Sequence, residues 1–229
     1  MSPGRFGDSQ RKYLRHDWIS NNREKESPLR GVVSTLGERA TAHIYLDPAR
    51  SEEPSVTTTP NALPAHLRHE MESALRVDQA GELAANWIYK GQYAVLGRDP
   101  TTGPLIQDMW DQEKKHLAVM NKLQHQHHVR PTLLWELARI GGYGLGAATA
   151  LMGKEAAMAC TEAVETVIGE HYNESCLIVE EIIKEFRDDE LEHLDIAVQN
   201  DAQKAPAHAL LSTIVGAGCK VAIELCKRF

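Results

Sequence analysis

Two short stretches decide how this chain is read: Trp110-Asp111-Gln112-Glu113-Lys114-Lys115-His116 and Asp188-Asp189-Glu190-Leu191-Glu192-His193. Each sets a glutamate three residues ahead of a histidine, and on a helix that spacing puts both side chains on one face. The sequence holds 21 Glu and 11 His in 229 residues, so chance supplies about one such pair and the pairs alone decide little. Their surroundings decide more. Ile106, Met109, Trp110 and Met120 recur around Glu113 at helical spacing, and Phe186 and Leu194 flank Glu190. Both acids therefore fall on apolar stripes, where a solvated charge would not.

Further upstream, each pair has a companion acid. Glu82 lies in Arg76–Glu82 (RVDQAGE), 31 residues before Glu113, and Glu165 lies 25 residues before Glu190. Glu82 shares its face with Asn86 and Tyr89, Glu165 with Met158, Ile168 and Tyr172. Such separations suit an antiparallel helical hairpin, so the chain reads as one unit repeated: acid, hairpin, Glu-x-x-His. Two such hairpins pack into a four-helix bundle with four carboxylates and two imidazoles inside, the ligand set of ferritin-like di-iron and di-manganese proteins. Four buried, unpaired carboxylates would repel one another and raise one another's pKa. Two divalent ions neutralise them, and the oxygen and nitrogen donors suit iron or manganese. No cysteine joins the set, which counts against zinc ribbons and iron–sulfur clusters. One glutamate from each half is expected to bridge the ions. Glu113 and Glu165 are plausible bridges, with Glu82 and Glu190 terminal.

Around these ligands, second-sphere groups should orient the histidines. Asp189, beside Glu190, is a candidate. Gln112 holds the matching place beside Glu113, so Asp111 is the candidate there. Tyr89 and Tyr172 could lie near the metals or serve only as packing. His125, His127 and His128 cluster at an expected helix end, where imidazoles suit the helix dipole, and they read as structural.

The rest of the chain supports an all-α fold. Helical periodicity predicts helices over about Ala65–Leu96, from Pro104 to about His125, about Lys154–Asn173, about Leu177–Gln199 and about Ala205–Arg228. A turn is expected at Asn173 and Ser175. Between the hairpins, Thr132–Gly153 combines bulky apolar residues with Glu136, Arg139 and several glycines. Those charges and glycines argue against a spanning helix and for an interfacial one, with a buried core helix as the alternative. Gly142 and Gly146 allow close helix packing. The final helix carries a stripe of Leu210, Ile214, Ala217, Val221 and Leu225 that either closes the bundle or meets a partner.

Bulk composition sets outer limits. A net charge of −7 and a pI near 5.9 argue against a nucleic-acid surface. Cys160, Cys176, Cys219 and Cys226 form no CxxC pair and read as reduced thiols. Residues 1–62 read as a flexible leader, and residues 63–229 as the helical domain. The leader's arginines suit a mitochondrial targeting region, whereas Asp8, Asp17, Glu24, Glu26 and Glu38 do not, so both readings stay open.

Several longer motifs add a resemblance. RVDQAGE, IYKGQYAVLG, MWDQEKKH, RPTLL, GAATALMGKEAAMACTEAVE, HYN, FRDDELEHLD and CKVAIELCKRF follow one another in order. Together, over about Leu67–Phe229, they resemble the demethoxyubiquinone hydroxylase family, notably its mitochondrial fungal forms. The resemblance implies that Glu82, Glu113, His116, Glu165, Glu190 and His193 hold two iron ions. It also implies hydroxylation of a demethoxyubiquinol ring with dioxygen in ubiquinone biosynthesis, with NADH as electron source. Peripheral attachment to the matrix side of the mitochondrial inner membrane is implied too, along with a lipid-binding accessory protein and a biosynthetic complex as partners. The Thr132–Gly153 helix resembles the part that faces bilayer and substrate, with Leu133, Leu134, Trp135, Ile140 and Leu145 lining the substrate's way in. Two other functions would use the same ligands: a ferritin-like iron oxidase or peroxidase, and a non-enzymatic quinone-binding scaffold.

Overall fold

The computed structural model describes residues 65–175 and 180–229. The leader, and the expected helix start at Leu177, lie outside them. Among the described residues six α-helices follow in order: α1 Ala65–Leu96, α2 Thr102–Gln126, α3 Trp135–Leu151, α4 Lys154–Ser175, α5 Glu180–Gln199 and α6 His208–Arg228, with a short 3-10 turn at Ala202–Lys204 ahead of α6. Among the described residues there is no strand.

A heptad-like spacing selects the interior. On α1 the buried side chains Met71, Leu75, Asp78, Glu82, Ala85, Tyr89 and Gln92 alternate steps of four and three. Ile106, Met109, Glu113, His116, Met120 and Leu123 do the same on α2, and Ile183, Phe186, Glu190, His193 and Ala197 on α5. Steps of this kind keep a narrow seam pointed at the neighbouring helices. α4 is buried nearly all round from Ala156 to Thr161, as befits the helix enclosed by the others. Two apolar clusters cap the bundle interior. Met71, Leu75, Met120, Leu123, Tyr172, Ile183 and Phe186 form one. Tyr89, Ile106, Met109, Met158, Ala159 and Ala197 form the other. The acids and histidines occupy the layer between.

Tight hairpins hold the pairs together. Asp99 Oδ1 accepts hydrogen bonds from the backbone N–H of Thr101 (3.0 Å) and Thr102 (2.6 Å). That carboxylate satisfies the first free donors of α2, so the helix starts at Thr102 and not at Pro104. α4 runs on through Asn173 and Ser175, where the sequence suggested a turn. The weak helix propensity of Asn and Ser, about 0.7 kcal/mol per residue at most, is too small to end the helix there. α6 begins at His208, later than expected. Ala205, ahead of Pro206, is extended (ψ 140°), and Ala207 is left-handed (φ 53°).

α3 and α6 lie outside the four-helix core, α3 mainly on α1 and α6 on α4 and α1. The backbone N–H of Leu133, just ahead of α3, donates to the carbonyl of Phe229 at the end of α6 (3.0 Å). α3 approaches α1 until backbone meets backbone. A methyl group at Gly146 would overlap the Ile88 carbonyl, and one at Gly142 would sit 2.8 Å from the Ala84 oxygen. This is the close contact expected of the Gly142/Gly146 pair. α6 packs through Leu211, Val215 and Cys219 against Ile88, Ala163 and Val164. Its outer stripe of Leu210, Ile214, Val221 and Leu225 is exposed, so this stripe does not close the bundle.

Of the five residues expected along the substrate's way in, Leu133, Trp135 and Ile140 are exposed. Leu134 and Leu145 are not: they pack partly buried against Val77, Ala80 and Cys226, and against Ile88, Cys160 and Val164. Eleven residues is close to three full turns, which returns both to the inward face. Leu137 and Leu151 join the exposed set instead. α6 is long and apolar enough to cross a membrane by length and composition alone.

Candidate metal centre

One acid from α1, one from α4 and a Glu-x-x-His pair from each of α2 and α5 converge in the middle layer. Glu82, Glu113, His116, Glu165, Glu190 and His193 are all 3% exposed or less. Donor atoms of Glu82, Glu113, His116 and Glu190 lie within 4.8 Å of one another, and so do those of Glu113, Glu165, Glu190 and His193. Glu113 and Glu190 belong to both groups, which marks them as the residues able to bridge two ions. Glu165 belongs to one group only. The sequence put Glu113 and Glu165 forward as the shared pair; it is Glu190, beside Glu113, whose oxygens fall within reach of both groups.

The histidines present Nδ1 to the cluster. His116 Nδ1 lies 3.2 Å from Glu190 Oε1 and 3.6 Å from Glu82 Oε2. His193 Nδ1 is 3.2 Å from oxygens of both Glu113 and Glu190. The outward Nε2 atoms are held across the bundle: His116 by Asp189 Oδ2 at 3.0 Å, His193 by Gln112 Oε1 at 2.8 Å. Each hairpin thus supports the other hairpin's histidine. Asp111 does not reach His193. It lies at the surface, bonded to Lys114 and Gln107, because it is one helical step further from the seam. Gln112 was passed over in the sequence for want of a charge, yet its amide oxygen sits where an imidazole N–H needs an acceptor.

The tyrosines cross over in the same way. Seven residues separate Glu82 from Tyr89 and Glu165 from Tyr172. Tyr89 donates to Glu165 Oε1 at 2.7 Å, and Tyr172 donates to Glu82 Oε1. Burial, with Glu165 beside it, pushes the Tyr89 phenol well above its usual range, and burial with Glu82 does the same to Tyr172. Both remain donors. Phe186 stacks on His116 with ring centres 4.0 Å apart. One turn from Glu82, a further buried pair, Asp78 with His171 at 2.9 Å, was not singled out by the sequence.

Electrostatics describe a site strained without cations. Burial pushes Glu82 up to about 8, with Glu113 and Glu190 adding to the push and His116 opposing it. Burial and the neighbouring Glu190 likewise raise Glu113 and Glu165. Burial would raise Glu190 too, but the close imidazoles of His116 and His193 hold it at about 2. Burial would lower both histidines, yet Asp189, Glu190 and Glu82 raise His116, and Glu113 and Glu190 raise His193. Among the described residues no donor is aligned on Glu82 Oε2, on either oxygen of Glu113, on Glu165 Oε2 or on Glu190 Oε1, and His116 Nδ1 has no hydrogen-bond partner. Buried acceptors left bare cost about 1–3 kcal/mol each, more when charged. Bare acceptors aimed inward, in an all-oxygen-and-nitrogen set, fit two divalent cations of the iron or manganese type.

Fold and site together define a helical bundle built around a carboxylate–histidine cluster able to hold metal ions. The chain belongs to the ubiquinone biosynthesis protein COQ7 family, whose sequence model matches residues 69–226. It is 52% identical over 172 residues to the human NADPH-dependent 3-demethoxyubiquinone 3-hydroxylase, mitochondrial, covering 70% of this chain and 79% of that protein. Over 181 residues it is 42% identical to the Saccharomyces cerevisiae 5-demethoxyubiquinone hydroxylase, mitochondrial (69% and 78% covered). Over 161 residues it is 46% identical to the Rhodospirillum rubrum 3-demethoxyubiquinol 3-hydroxylase (67% and 76% covered).

Proposed function

We propose that this chain is a di-iron monooxygenase that hydroxylates the ring of a demethoxyubiquinol with dioxygen in ubiquinone biosynthesis. The observation that carries the proposal is the pair of four-residue donor groups sharing Glu113 and Glu190, in a chain whose family and relatives bear these names. Bound iron would supply the reduction and activation of dioxygen. The chain's own residues do the rest. Glu82, Glu113, Glu165, Glu190, His116 and His193 hold the ions, and Tyr89, Tyr172, Asp189 and Gln112 fix the orientation of those ligands. The apolar clusters on either side keep bulk water from the layer. A reduced nicotinamide nucleotide is the electron source in this reading. The sequence resemblance pointed to NADH, and the human relative is named for NADPH.

A lipid quinol needs a way from bilayer to site. The outward faces of α3 and α6 are both apolar, with Ile140 71% and Ile214 61% exposed. On the inward side, Leu145 of α3 packs with Ile88 of α1 and Val164 of α4. Patches of this size on a monomer mark contact with a membrane or a partner. Trp87 and Trp135 flank Arg139, whose guanidinium carbon lies 4.7 and 5.2 Å from their rings, the aromatic and basic mixture found at membrane interfaces. The apolar faces support a peripheral membrane protein, and the family resemblance adds the rest of the proposal: the matrix side of the mitochondrial inner membrane, with a lipid-binding accessory protein and its biosynthetic complex as partners. An iron oxidase would have no use for the apolar surface.

The test is direct. Purified full-length chain is supplied with ferrous iron, reductant, dioxygen and a short-chain demethoxyquinol, and the quinones are read by mass spectrometry. Hydroxylated product, lost in Glu190→Ala at unchanged helix content, supports the proposal. Dioxygen uptake without that product points to an iron oxidase, and neither to a scaffold; both overturn it.

A further inference from the structure

The two halves of the centre match almost residue for residue. Each has a terminal glutamate (Glu82 or Glu165), a tyrosine from the opposite hairpin donating to it (Tyr172 or Tyr89), a histidine, and the same two shared carboxylates. One difference lies in direct contact with the ligands. His116 Nε2 meets the carboxylate of Asp189 at 3.0 Å, whereas His193 Nε2 meets the neutral carboxamide of Gln112 at 2.8 Å. Further out, Asp78 lies one turn from Glu82, but His171 faces it at 2.9 Å. Its counterpart four residues ahead of Glu165 is the buried, uncharged Thr161.

From this asymmetry we infer that the two metal positions are inequivalent, the His116 position binding its ion first and more tightly, with Asp189 and Gln112 as the positioning residues that set the order. The inference rests on the two-metal reading proposed above. A carboxylate accepting the imidazole N–H makes a charge-assisted bond, roughly twice as strong as one to an amide oxygen. It pushes electron density toward Nδ1, the nitrogen facing the metal, and raises the basicity of the ligand. The side chain of Asp189 is 36% exposed, so water screens part of this effect, but the full negative charge is present on one side and absent on the other. Gln112 also fixes the His193 ring, since its oxygen can only accept from an N–H at Nε2 and so leaves Nδ1 free to ligate. The carboxamide therefore gives orientation without added charge. The consequence is a centre that fills in order, His116 side before His193 side.

The test is an anaerobic titration of the metal-free full chain with cobalt(II), followed by calorimetry and by the visible absorption of the bound ion. Two ions should bind in two steps whose dissociation constants differ about tenfold or more, the low end of the effect of an outer-sphere partner. Asp189→Asn should weaken the tight step about 10–100-fold and leave the other near its starting value. Gln112→Glu should tighten the weak step about tenfold and draw the two together. A residue that merely filled space would not increase affinity on gaining a charge. Two ions taken up in one unresolved step by the unaltered chain, or a tight step unmoved by Asp189→Asn at normal helix content, would overturn the inference while leaving the two-metal reading intact. Should Asp189→Asn lose helix content, Gln112→Glu decides alone, and a weak step it fails to tighten overturns the inference. Fewer than two ions in the unaltered chain would overturn the two-metal reading and this inference with it.

Discussion

Gly146→Ala and Gly144→Ala lie two residues apart on α3 and should move stability in opposite directions. At Gly146 the added methyl overlaps the Ile88 carbonyl oxygen, with the carbonyl carbon 2.8 Å and Cα 3.0 Å away, where ordinary contact begins near 3.4 Å. All three atoms are backbone, so no side chain can turn aside, and α1 and α3 must part. Overpacking of this kind costs about 1–3 kcal/mol, and a rigid obstacle places this case toward the upper end. The gain in helix propensity from glycine to alanine returns about 0.5–1 kcal/mol. The net loss is about 2 kcal/mol, or a fall in Tm of about 4–8 °C for a chain this long. At Gly144 nothing lies within 4 Å of the new methyl. Only the propensity gain remains there, worth a rise of about 1–4 °C. Thermal unfolding of the metal-free chain, followed by circular dichroism, reads both changes. Equal shifts in the two variants would refute the close α1–α3 contact. The same contact matters to the centre, since Ile88 adjoins Tyr89, which donates to Glu165.

Acidity gives a second outcome. Glu82 is pushed by burial from 4.5 up to about 8, so the folded metal-free chain holds a proton that the unfolded chain releases. That contribution to stability is complete below about pH 4.5 and lost as pH rises toward 8; the raised His116 and His193 act in the same sense above the usual histidine range. The Tm of the metal-free chain should therefore fall from pH 5 to pH 8, and divalent metal, which replaces those protons, should stabilise most at the upper end; a rise in the metal-free Tm over that window would contradict it. Tyr172→Phe removes the donor to Glu82 and should weaken binding of one ion about 10–100-fold, with unchanged metal binding counting against the ligand role of Glu82. Replacing Ile140 and Ile214 together by serine should shift Tm by no more than about 2–4 °C, as expected for two exposed sites, yet reduce sedimentation with lipid vesicles at least tenfold, since each apolar side chain inserted is worth about 1.5–3 kcal/mol. Undiminished vesicle binding would remove the membrane role of this surface.

Periodicity is a one-dimensional property, and what it fixes is which residues share a face of one helix. That is why Glu82, Glu113, His116, Glu165, Glu190 and His193 were legible as a set, why α1 was bounded at Ala65 and Leu96, and why Gly142 and Gly146 announced a close contact. Relations between helices depend on rotation and depth of packing, which no spacing within one helix encodes. Only the tertiary structure pairs Asp189 with His116 and Gln112 with His193, each across the bundle, and turns Asp111 out to solvent. It also sets Glu190 in both donor groups and Glu165 in one. The apolar stripe of α6 was visible as a stripe, but whether it faced the core was decided by α4, which already packs against Leu211, Val215 and Cys219 on the opposite side. Leu134 and Leu145 turned inward for the same reason, since α3 can lay only one face on α1, and its glycines chose which.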